Sequence, residues 1–551
     1  MFSQLILVPF LLFTIYRIYN LIKHYVAARK LGLPIILLPV SFEDVWWMPL
    51  RPLFSWVEHL PFGLGSWYAY TELGWPTIDG YRTPQRLGET FILCSPFGIQ
   101  INTCYPPAVN LIFRDPKDWK VPDARTRLWT LYGENVASSN DTEWYRHRRI
   151  VASSFNENTM QRVWGEAIKR AASLELAADS ERSLGRIWST FDVLAMGILA
   201  VVGFGQEDMA LTSTPPGHRE SLMECLGFIL RHITMSLIFS GLRAPDFLLP
   251  KILRRLKLSV SEFKRYMQET VLYNMRQASA KPSQSRATSL LEAMVRANEA
   301  AKQQHDSSAK SSSHAYLTDS ELYGNLFLFN LAGYETTAST MTMSLPFLAA
   351  NPHIQAWVTE EIDAHYTKDY TATYPKLVRC LAVMYETLRL SSPAPTLVRT
   401  PAISPQELPV ATTPTGEART ITVEPGTVVA GHIYGAHLSP RWGADAHTFN
   451  PKRFIVTSTS ASESLVVPEK PVYMPWMFGP RVCPGKKFSQ VEFVAVVAHI
   501  LSEYRIEVLR RDGESEEAAR ERLVGVLNEK FFDIGTHLRR PEDAGVRFVK
   551  R

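Results

Sequence analysis

The chain has 551 residues, of which 46% are hydrophobic and 21% are charged, and these proportions are ordinary for a globular protein with a sizeable core. The net charge of +5 is too slight to indicate or exclude a nucleic-acid partner. The five cysteines are scattered and odd in number, which excludes a disulfide framework, and no Cys-x-x-Cys or His-Glu-x-x-His motif indicates zinc.

An apolar stretch runs from Leu5 to Ile22, interrupted by Arg17 and Asn20, and is just long enough to cross a bilayer. No basic residue precedes it, whereas several follow it, so the positive-inside rule leaves the rest of the chain in the cytosol. Residues 1–30 are therefore predicted to be an N-terminal membrane anchor. The alternative is a helix that lies on the membrane or packs on the fold.

The next conspicuous segment is Glu143–Arg149, which is rich in arginine. In a helix, Trp144 and Arg148 lie on one face, and Arg146 and Arg149 lie on another. Taken alone, this pattern predicts a solvated basic helix.

Two segments interrupt the long helical patterns that follow. Leu226 to Pro250 is unusually apolar, which indicates either core or a segment that touches a membrane. Gln277 to Ala315 is rich in Ser, Ala, Lys, Gln and His and predicts an exposed connection.

Thr318 and Glu321 form a capping box that predicts the start of a long buried helix, which ends near Leu348. Small and hydroxyl residues occupy its middle, where they would let a ligand press against the backbone. A hydroxyl there can also bond the carbonyl four residues back and open a polar groove. These central residues are Ala332, Gly333, Glu335, Thr336 and Thr337.

Glu386 and Arg389 face one another at helical spacing, and Arg453 follows in a Phe-x-Pro-x-Arg segment. We interpret these three residues as structural. Further along, Thr420 to Ala430 predicts a hairpin around a Pro-Gly turn, and Ser502 to Arg551 predicts a strand, a charged loop and a strand.

The segment Pro475–Gly485 places Cys483 in a turn stiffened by prolines. A thiolate there could bind iron, Gly479 and Gly485 would let the backbone approach a flat macrocycle, and Arg481 could pair with an acidic group. The helix predicted from Lys486 to Leu501 would stabilise a negative sulfur at its N-terminus. The alternative is an ordinary buried cysteine beside a turn.

The pattern Trp476-x-x-Gly479-x-Arg481-x-Cys483-x-Gly485 resembles the haem-binding signature of cytochromes P450. Trp476 stands where the family usually has Phe, and an indole can shield the sulfur as a phenyl ring does. The central helix, the Glu-x-x-Arg pair and the Phe-x-Pro-x-Arg segment also resemble family motifs, in the family's order. The resemblance implies a mainly α cytochrome P450 fold with a small β region, with residues 31–551 as one catalytic domain.

The resemblance also implies site residues. Cys483 would be the axial thiolate ligand of haem b, Thr336 would orient a proton-carrying water, and Glu335 would relay protons from solvent. The residues expected to contact the haem are Trp144, Arg148, Ala332, Gly333, Arg399, Trp476, Gly479, Arg481 and Gly485. Arg146 and Arg149 would lie near the cysteine for an electron donor to dock. Selectivity would come from Phe327, Phe329, Ala394 to Val398 and the loop Arg125 to Glu134.

The family further implies a fungal-type monooxygenase of secondary metabolism on the endoplasmic reticulum membrane. It would use O2, electrons from NADPH through a P450 reductase or cytochrome b5, and a lipophilic small-molecule substrate, with no nucleic acid. Two alternatives stay open. A haem-thiolate isomerase or dehydratase would need no reductase, and the pair Glu335 and Thr336 argues against it. A haem sensor would not need an anchor, a proton relay and a docking face together.

Overall fold

The computed structural model of the chain is mainly helical, with several small sheets, and confirms the predicted fold class. It describes residues 2–44, 46–126, 129–174, 176, 180–206, 211–233, 235–236, 245–280, 287–307, 315–411, 418–458, 462–468, 471–533 and 535–551.

The longer helices form most of the protein. They are α1 (Phe2–Lys30), α2 (Pro106–Arg114), α3 (Asp141–Ala152), α4 (Glu157–Ala172), α5 (Leu184–Ile198), α6 (Leu222–Arg231), α7 (Lys251–Ala280), α8 (Leu290–Ser307), α9 (Asp319–Ala350), α10 (Pro352–His365), α11 (Val378–Leu390), α12 (Lys486–Glu503) and α13 (Glu516–Asn528). Shorter helical segments are Trp47–Leu50, Trp75–Asp79, Arg82–Leu87, Asp123–Thr126, Tyr370–Thr373 and Ile433–His437.

The strands are short. They are β1 (Ile35–Leu37), β2 (Thr90–Cys94), β3 (Ile99–Thr103), β4 (Trp119–Lys120), β5 (Glu181–Ser183), β6 (Thr396–Pro401), β7 (Gln406–Ala411), β8 (Ala418–Val423), β9 (Val428–His432), β10 (Ile455–Thr457), β11 (Glu463–Leu465), β12 (Tyr504–Val508), β13 (Lys530–Phe532), β14 (Thr536–Leu538) and β15 (Gly545–Lys550). One mixed sheet has the order β1-β2-β3-β9-β6-β4, and a second has the order β12-β15-β5. The pairs β7-β8, β10-β11 and β13-β14 stand apart.

Helix α9 lies at the centre of the core and packs against α5, α11 and α12. The hydroxyl of Thr318 accepts from the Glu321 backbone N–H, and the Glu321 carboxylate accepts from the Thr318 N–H at 2.8 Å. This capping box confirms the predicted start. The helix ends at Ala350, because Asn351 leaves the helical conformation before Pro352.

The N-terminal helix α1 leaves its apolar side chains exposed from Val8 to Ile22. Arg17 is not free, since its guanidinium donates to the Asp44 carboxylate at 2.6 Å and so ties the helix to the following segment. By length and hydropathy, one helical stretch of the described residues could cross a membrane, Leu184–Gly203. It is 67% buried, as a core helix is. The anchor at residues 1–30 therefore stays a prediction.

Two predictions about the β region and the tail are wrong. Val423 and Val428 flank the Pro-Gly turn, but β8 pairs with β7 whereas β9 pairs with β3 and β6, so no hairpin forms there. The charged segment of the tail is not a loop. It folds as α13, which is capped by Ser515 and buries Ala519, Leu523 and Val526.

Two segments, Gln277 to Ala315 and Leu226 to Pro250, are interpreted from the sequence as an exposed connection and as core or a membrane contact. Their described residues are largely helical. Residues 290–307 form α8 and bury Leu291 and Met294, so the predicted loop is wrong there, and residues 281–286 and 308–314 lie outside the described residues. The start of the apolar segment belongs to α6, where Leu226 and Ile229 are buried. Residues 237–244 lie outside the described residues.

Candidate functional site: the Cys483 loop and the central helix

The loop before α12 is a tight turn built on two left-handed residues. Met477 has φ 58° and Gly479 has φ 70°. A Cβ at Gly479 would lie 3.0 Å from the Phe113 carbonyl oxygen, so a side chain has neither the conformation nor the space there. The Cys483 N–H donates to the Trp476 carbonyl at 2.9 Å and closes the loop.

Cys483 differs from the other four cysteines, because its side chain is exposed and theirs are buried. Surrounding protein nevertheless desolvates the thiol and raises its pKa, while a hydrogen bond from the Gly485 backbone and the positive charge of Arg148 oppose that rise. The sulfur is thus accessible at the surface of its loop although protein surrounds it on most sides. The thiol is therefore placed to be a ligand, with two groups that favour its negative form.

Trp476 occupies the first position of the motif, and its indole N–H has a hydrogen-bond acceptor. Its indole N–H donates to the Ser489 hydroxyl at 3.1 Å, and its ring packs against Tyr385 at 5.3 Å. The side chain is half-buried. The larger ring is thus accommodated by one added hydrogen bond to α12.

Three arginines converge on the loop from different elements. Arg148 of α3 donates to the Val482 carbonyl at 2.9 Å. Arg481 donates to the Ser139 carbonyl at 2.7 Å and lies over the Trp144 ring at 4.8 Å. Arg399 of β6 is also buried. Its guanidinium donates to the Val398 carbonyl at 2.7 Å and lies over the Phe113 ring at 5.0 Å.

Arg399 is buried and Arg148 and Arg481 are half-buried, and none of the three has a carboxylate within ion-pair distance in the part of the chain that the structure describes. Burial, together with the neighbouring charge of Arg481, lowers the pKa of Arg399 to about 9. Burial likewise lowers the pKa of Arg481 to about 10. A buried cation is costly unless an anion pairs with it. The acidic groups of a haem are anions of the kind that fits here, so the residues present fit the cofactor that the sequence predicts.

The middle of α9 is accessible, although the helix around it is buried. Ala332 is exposed, Gly333 and Thr336 are partly exposed, and Leu331 and Ala338 are buried. This pattern indicates a cavity against the small-residue face of the helix.

The ring of Phe155 links this face to the cysteine loop. It contacts the Phe329 ring of α9 with 6.2 Å between centroids and lies 3.9 Å from a Cβ built on Gly485. The structure thus brings the loop of Cys483 and the centre of α9 to the same region. The Thr336 hydroxyl donates to the Ala332 carbonyl at 2.8 Å, which confirms the predicted hydrogen bond to the carbonyl four residues back.

Glu335 points away from this accessible face and is buried. His537, in β14, lies 3.0 Å from its carboxylate. The sequence indicates Glu335 through its place beside Thr336, but gives no signal for His537, which is far away in the chain.

The Glu386 carboxylate accepts two hydrogen bonds from Arg389, at 2.7 and 2.8 Å, and a third from Arg453 at 3.2 Å. Glu386 and Arg389 are fully buried, so the predicted pair and its structural role in the core are confirmed. Arg453 also pairs with Asp445 at 2.9 Å.

Two expectations about neighbouring residues are wrong. Arg146 pairs with Glu321 and Glu143 and its side chain is 10% exposed, so it is not a free cation on a docking face. Phe327 has no exposed surface because it packs against Tyr132. It therefore cannot line a pocket directly.

Other predicted residues of this region keep some accessible surface. Arg149 is exposed and residues 396–398 are half-buried, whereas Phe329 is buried. The loop from Arg125 to Glu134 is only partly described, since residues 127 and 128 lie outside the described residues.

Asn140 is a site residue that the sequence does not indicate. Its side-chain oxygen accepts from Arg481 at 3.0 Å and from the Val121 N–H at 3.1 Å. The asparagine therefore holds the arginine of the cysteine loop in place. Its sequence signals are its position just before α3 and a glycosylation sequon with Thr142, and neither indicates a role beside Cys483.

Comparison with known proteins places this geometry in a family context. The family model described as Cytochrome P450 matches residues 109–532. The chain is similar to the phomenoic acid biosynthesis cluster cytochrome P450 monooxygenase of Leptosphaeria maculans, with 26% identity over 93% of both chains. It shows 26% identity over 90% of both chains to cytochrome P450 monooxygenase ORF6 of Penicillium roqueforti. Against cytochrome P450 3A1 of Rattus norvegicus the identity is 22% over 68% of this chain and 70% of that one.

Proposed function

Because the chain belongs to the cytochrome P450 family, we propose that it inserts one oxygen atom from O2 into a lipophilic small molecule, with electrons from NADPH through a P450 reductase. A bound haem supplies the redox chemistry that cleaves the O–O bond, favoured by electron donation from a thiolate ligand. Cys483 would provide that thiolate. Relatives of the chain are named monooxygenases, in agreement with an oxidoreductase.

The residues that would hold the haem come from four parts of the chain. Arg148, Arg399 and Arg481 would pair with its acidic groups. The Trp144 ring would hold the Arg481 guanidinium, which lies over it, in place. The remaining proposed contacts are backbone or small and flat side chains, namely Ala332, Gly333, Trp476, Gly479 and Gly485.

Thr336 would act as a water holder. Its hydroxyl has one donor, which is used on the Ala332 carbonyl at 2.8 Å, so its lone pairs remain to accept from a water on the accessible face. Glu335, whose carboxyl lies off the accessible face, would relay protons from solvent toward that water as a general acid. The accessible Thr336 hydroxyl on the small-residue face of α9 is the observation that favours a monooxygenase over an isomerase, which has no need of delivered protons.

The setting of the reaction is also proposed. Residues 1–30 would anchor the protein in the endoplasmic reticulum membrane, with the catalytic domain of residues 31–551 on the cytosolic side. The exposed apolar side chains of α1 support contact with membrane lipids. Cytochrome b5 is a second candidate electron donor. The name of the relative from Leptosphaeria maculans, which places that protein in a biosynthesis cluster, supports a role in secondary metabolism.

The test is turnover in membranes that contain this protein and a P450 reductase, with labelled O2 and a panel of lipophilic substrates. We expect a product that carries one labelled oxygen atom and depends on NADPH. Conversion without label or NADPH would favour the isomerase. The variant Thr336→Ala should consume NADPH and release hydrogen peroxide in place of product.

A further inference from the structure

Glu335 has one titratable partner in direct contact among the described residues, and it comes from the far end of the chain. His537 Nε2 lies 3.0 Å from Glu335 Oε1. The His537 side chain is 27% exposed and the Glu335 side chain is 10% exposed, so the histidine lies between the carboxylate and solvent.

The position of this histidine is set by packing on both sides. Its ring stacks on the Trp188 ring of α5 with 4.8 Å between centroids. The hairpin β13-β14 approaches so closely that a Cβ on Gly535 would lie 3.0 Å from Glu335 Oε1. The family model ends at residue 532, so this contact belongs to a part of the chain that the family match does not cover.

Acidic groups flank the pair from two elements. Asp192 of α5 is half-buried, and its Oδ1 is buried without a hydrogen-bond partner among the described residues. Burial and the charge of Glu335 raise the pKa of Asp192 to about 7, while His537 acts in the opposite direction. Asp533 lies at the turn of the hairpin, with His232 acting on it electrostatically from the end of α6. The neighbouring Tyr334 of α9 stays neutral, because burial raises its pKa.

Asp192 is therefore a half-buried carboxyl with a pKa raised to about 7, and it interacts electrostatically with the histidine that contacts the buried acid of the site. Such a chain of groups can carry protons inward from solvent.

We propose that His537 positions Glu335 and passes protons to it, with Asp192 as the acidic group that reloads the histidine. The proposal rests on the proposed monooxygenase function. That reaction takes a C–H substrate, O2, two electrons and two protons and yields an alcohol and water. Without delivery of the second proton to the correct oxygen, the same electrons and protons leave as hydrogen peroxide.

The variant for the test is His537→Gln, whose amide can still donate to Glu335 but cannot carry a proton. The matched control is His499→Gln, since His499 is also half-buried and hydrogen-bonded, to the Tyr366 hydroxyl at 3.1 Å, with no contact to Glu335. Both variants are first checked for the carbonyl spectrum of the reduced holoenzyme.

We expect His537→Gln to lower product per NADPH by about tenfold to a hundredfold, at most the low end of the range for an acid–base catalyst because Glu335 itself is kept, with hydrogen peroxide making up the difference. In the wild type, the yield should fall as the pH rises through the pKa of Asp192, about 7, and this dependence should flatten in the variant. Turnover driven by added hydrogen peroxide, which brings its own protons, should stay within about twofold. The His499→Gln control should match the wild type throughout.

A second readout does not depend on turnover. The infrared carboxyl band that disappears in Asp192→Asn should titrate at a higher pH in His537→Gln, because the group that lowers the pKa of Asp192 is gone.

An unchanged yield and pH profile in His537→Gln, or an equal loss of peroxide-driven turnover, would overturn the proposal. An unshifted Asp192 band would do the same. Absence of labelled product from the wild type would instead overturn the proposed function.

Discussion

Two sets of buried or half-buried arginines in this protein differ in whether a carboxylate balances their positive charge. Around Glu386, the guanidinium groups of Arg389 and Arg453 both contact a carboxylate. Around Cys483, the buried Arg399 and the half-buried Arg481 contact backbone carbonyls and aromatic rings, with no carboxylate within ion-pair distance in the described part of the chain.

The difference separates a framework from a binding site. The first set is complete within the protein, because each buried charge has an opposite charge and further hydrogen bonds. The second set is incomplete, because arginine holds its proton too strongly to become neutral as a buried acid can. An anion from outside the chain is needed there, and the haem of the family provides one.

Breaking the complete set should have the largest effect. Glu386→Gln leaves Arg389 buried without its carboxylate and should lower the free energy of unfolding by about 3–5 kcal/mol. Urea denaturation of the holoenzyme measures this change. The control is Glu507→Gln, whose partner Arg505 is exposed and whose loss should cost under about 1 kcal/mol. Equal effects of the two variants would contradict the framework role.

Removing a cation from the incomplete set should weaken the binding of haem without destabilising the haem-free protein. Arg399→Gln should weaken haem retention by about tenfold to a hundredfold, the equivalent of about 1.5–3 kcal/mol for a hydrogen bond to a charged group. The haem-free protein should be no less stable, because repulsion between Arg399 and Arg481 is relieved.

Haem transfer to a scavenging protein measures the first effect, and urea denaturation of the haem-free chain measures the second. Arg505→Gln, at an exposed position, should change neither. A variant that retains haem as the wild type does would show that Arg399 has no anion to hold.

Glu492 provides an acidic counterpart to the unpaired arginines. Both of its carboxyl oxygens are buried without a partner among the described residues, and burial raises its pKa well above the usual range. The folded protein therefore holds the carboxyl proton of Glu492 more tightly than the unfolded chain does. The stability that this proton contributes is fully present below the pKa of Glu492 in the unfolded chain, and it is lost as the pH rises toward the pKa in the folded protein.

Glu492→Gln should therefore reduce the loss of stability between pH 5 and 8, by up to about 1.4 kcal/mol per pH unit. Urea denaturation over that range measures the slope. Glu507→Gln should leave the slope unchanged, and an unchanged slope in Glu492→Gln would show that the buried carboxyl is not protonated in the folded protein.

The smallest effect is expected at Trp476. Trp476→Phe removes the hydrogen bond to Ser489 and keeps an aromatic ring over the loop, so the free energy of unfolding should fall by about 0.5–1.5 kcal/mol. The carbonyl spectrum of the reduced protein should not change. A lost thiolate spectrum would show that the indole does more than shield the sulfur.

The sequence predicted the features that depend on neighbours in the chain. The capping box at Thr318, the hydrogen bond of Thr336 and the pairing of Glu386 with Arg389 all follow from helical spacing, and each is present in the structure.

The features that were missed depend on distant partners. Alternation in β8 and β9 does not reveal that the two strands pair with different neighbours. The pairing of Arg146 with Glu321 and the contact of His537 with Glu335 join residues far apart in sequence. In α13, abundant charge concealed a narrow apolar stripe.

The most direct test of the account is the carbonyl difference spectrum of the reduced protein before and after Cys483→Ser. The wild type should show the spectrum typical of a thiolate ligand, and the variant should lose it while its circular dichroism shows an unchanged helix content. Cys94→Ala, at a buried cysteine, should keep the thiolate spectrum. A thiolate spectrum that survives in Cys483→Ser would contradict the assignment of Cys483 as the haem ligand and the interpretation of the arginines around it.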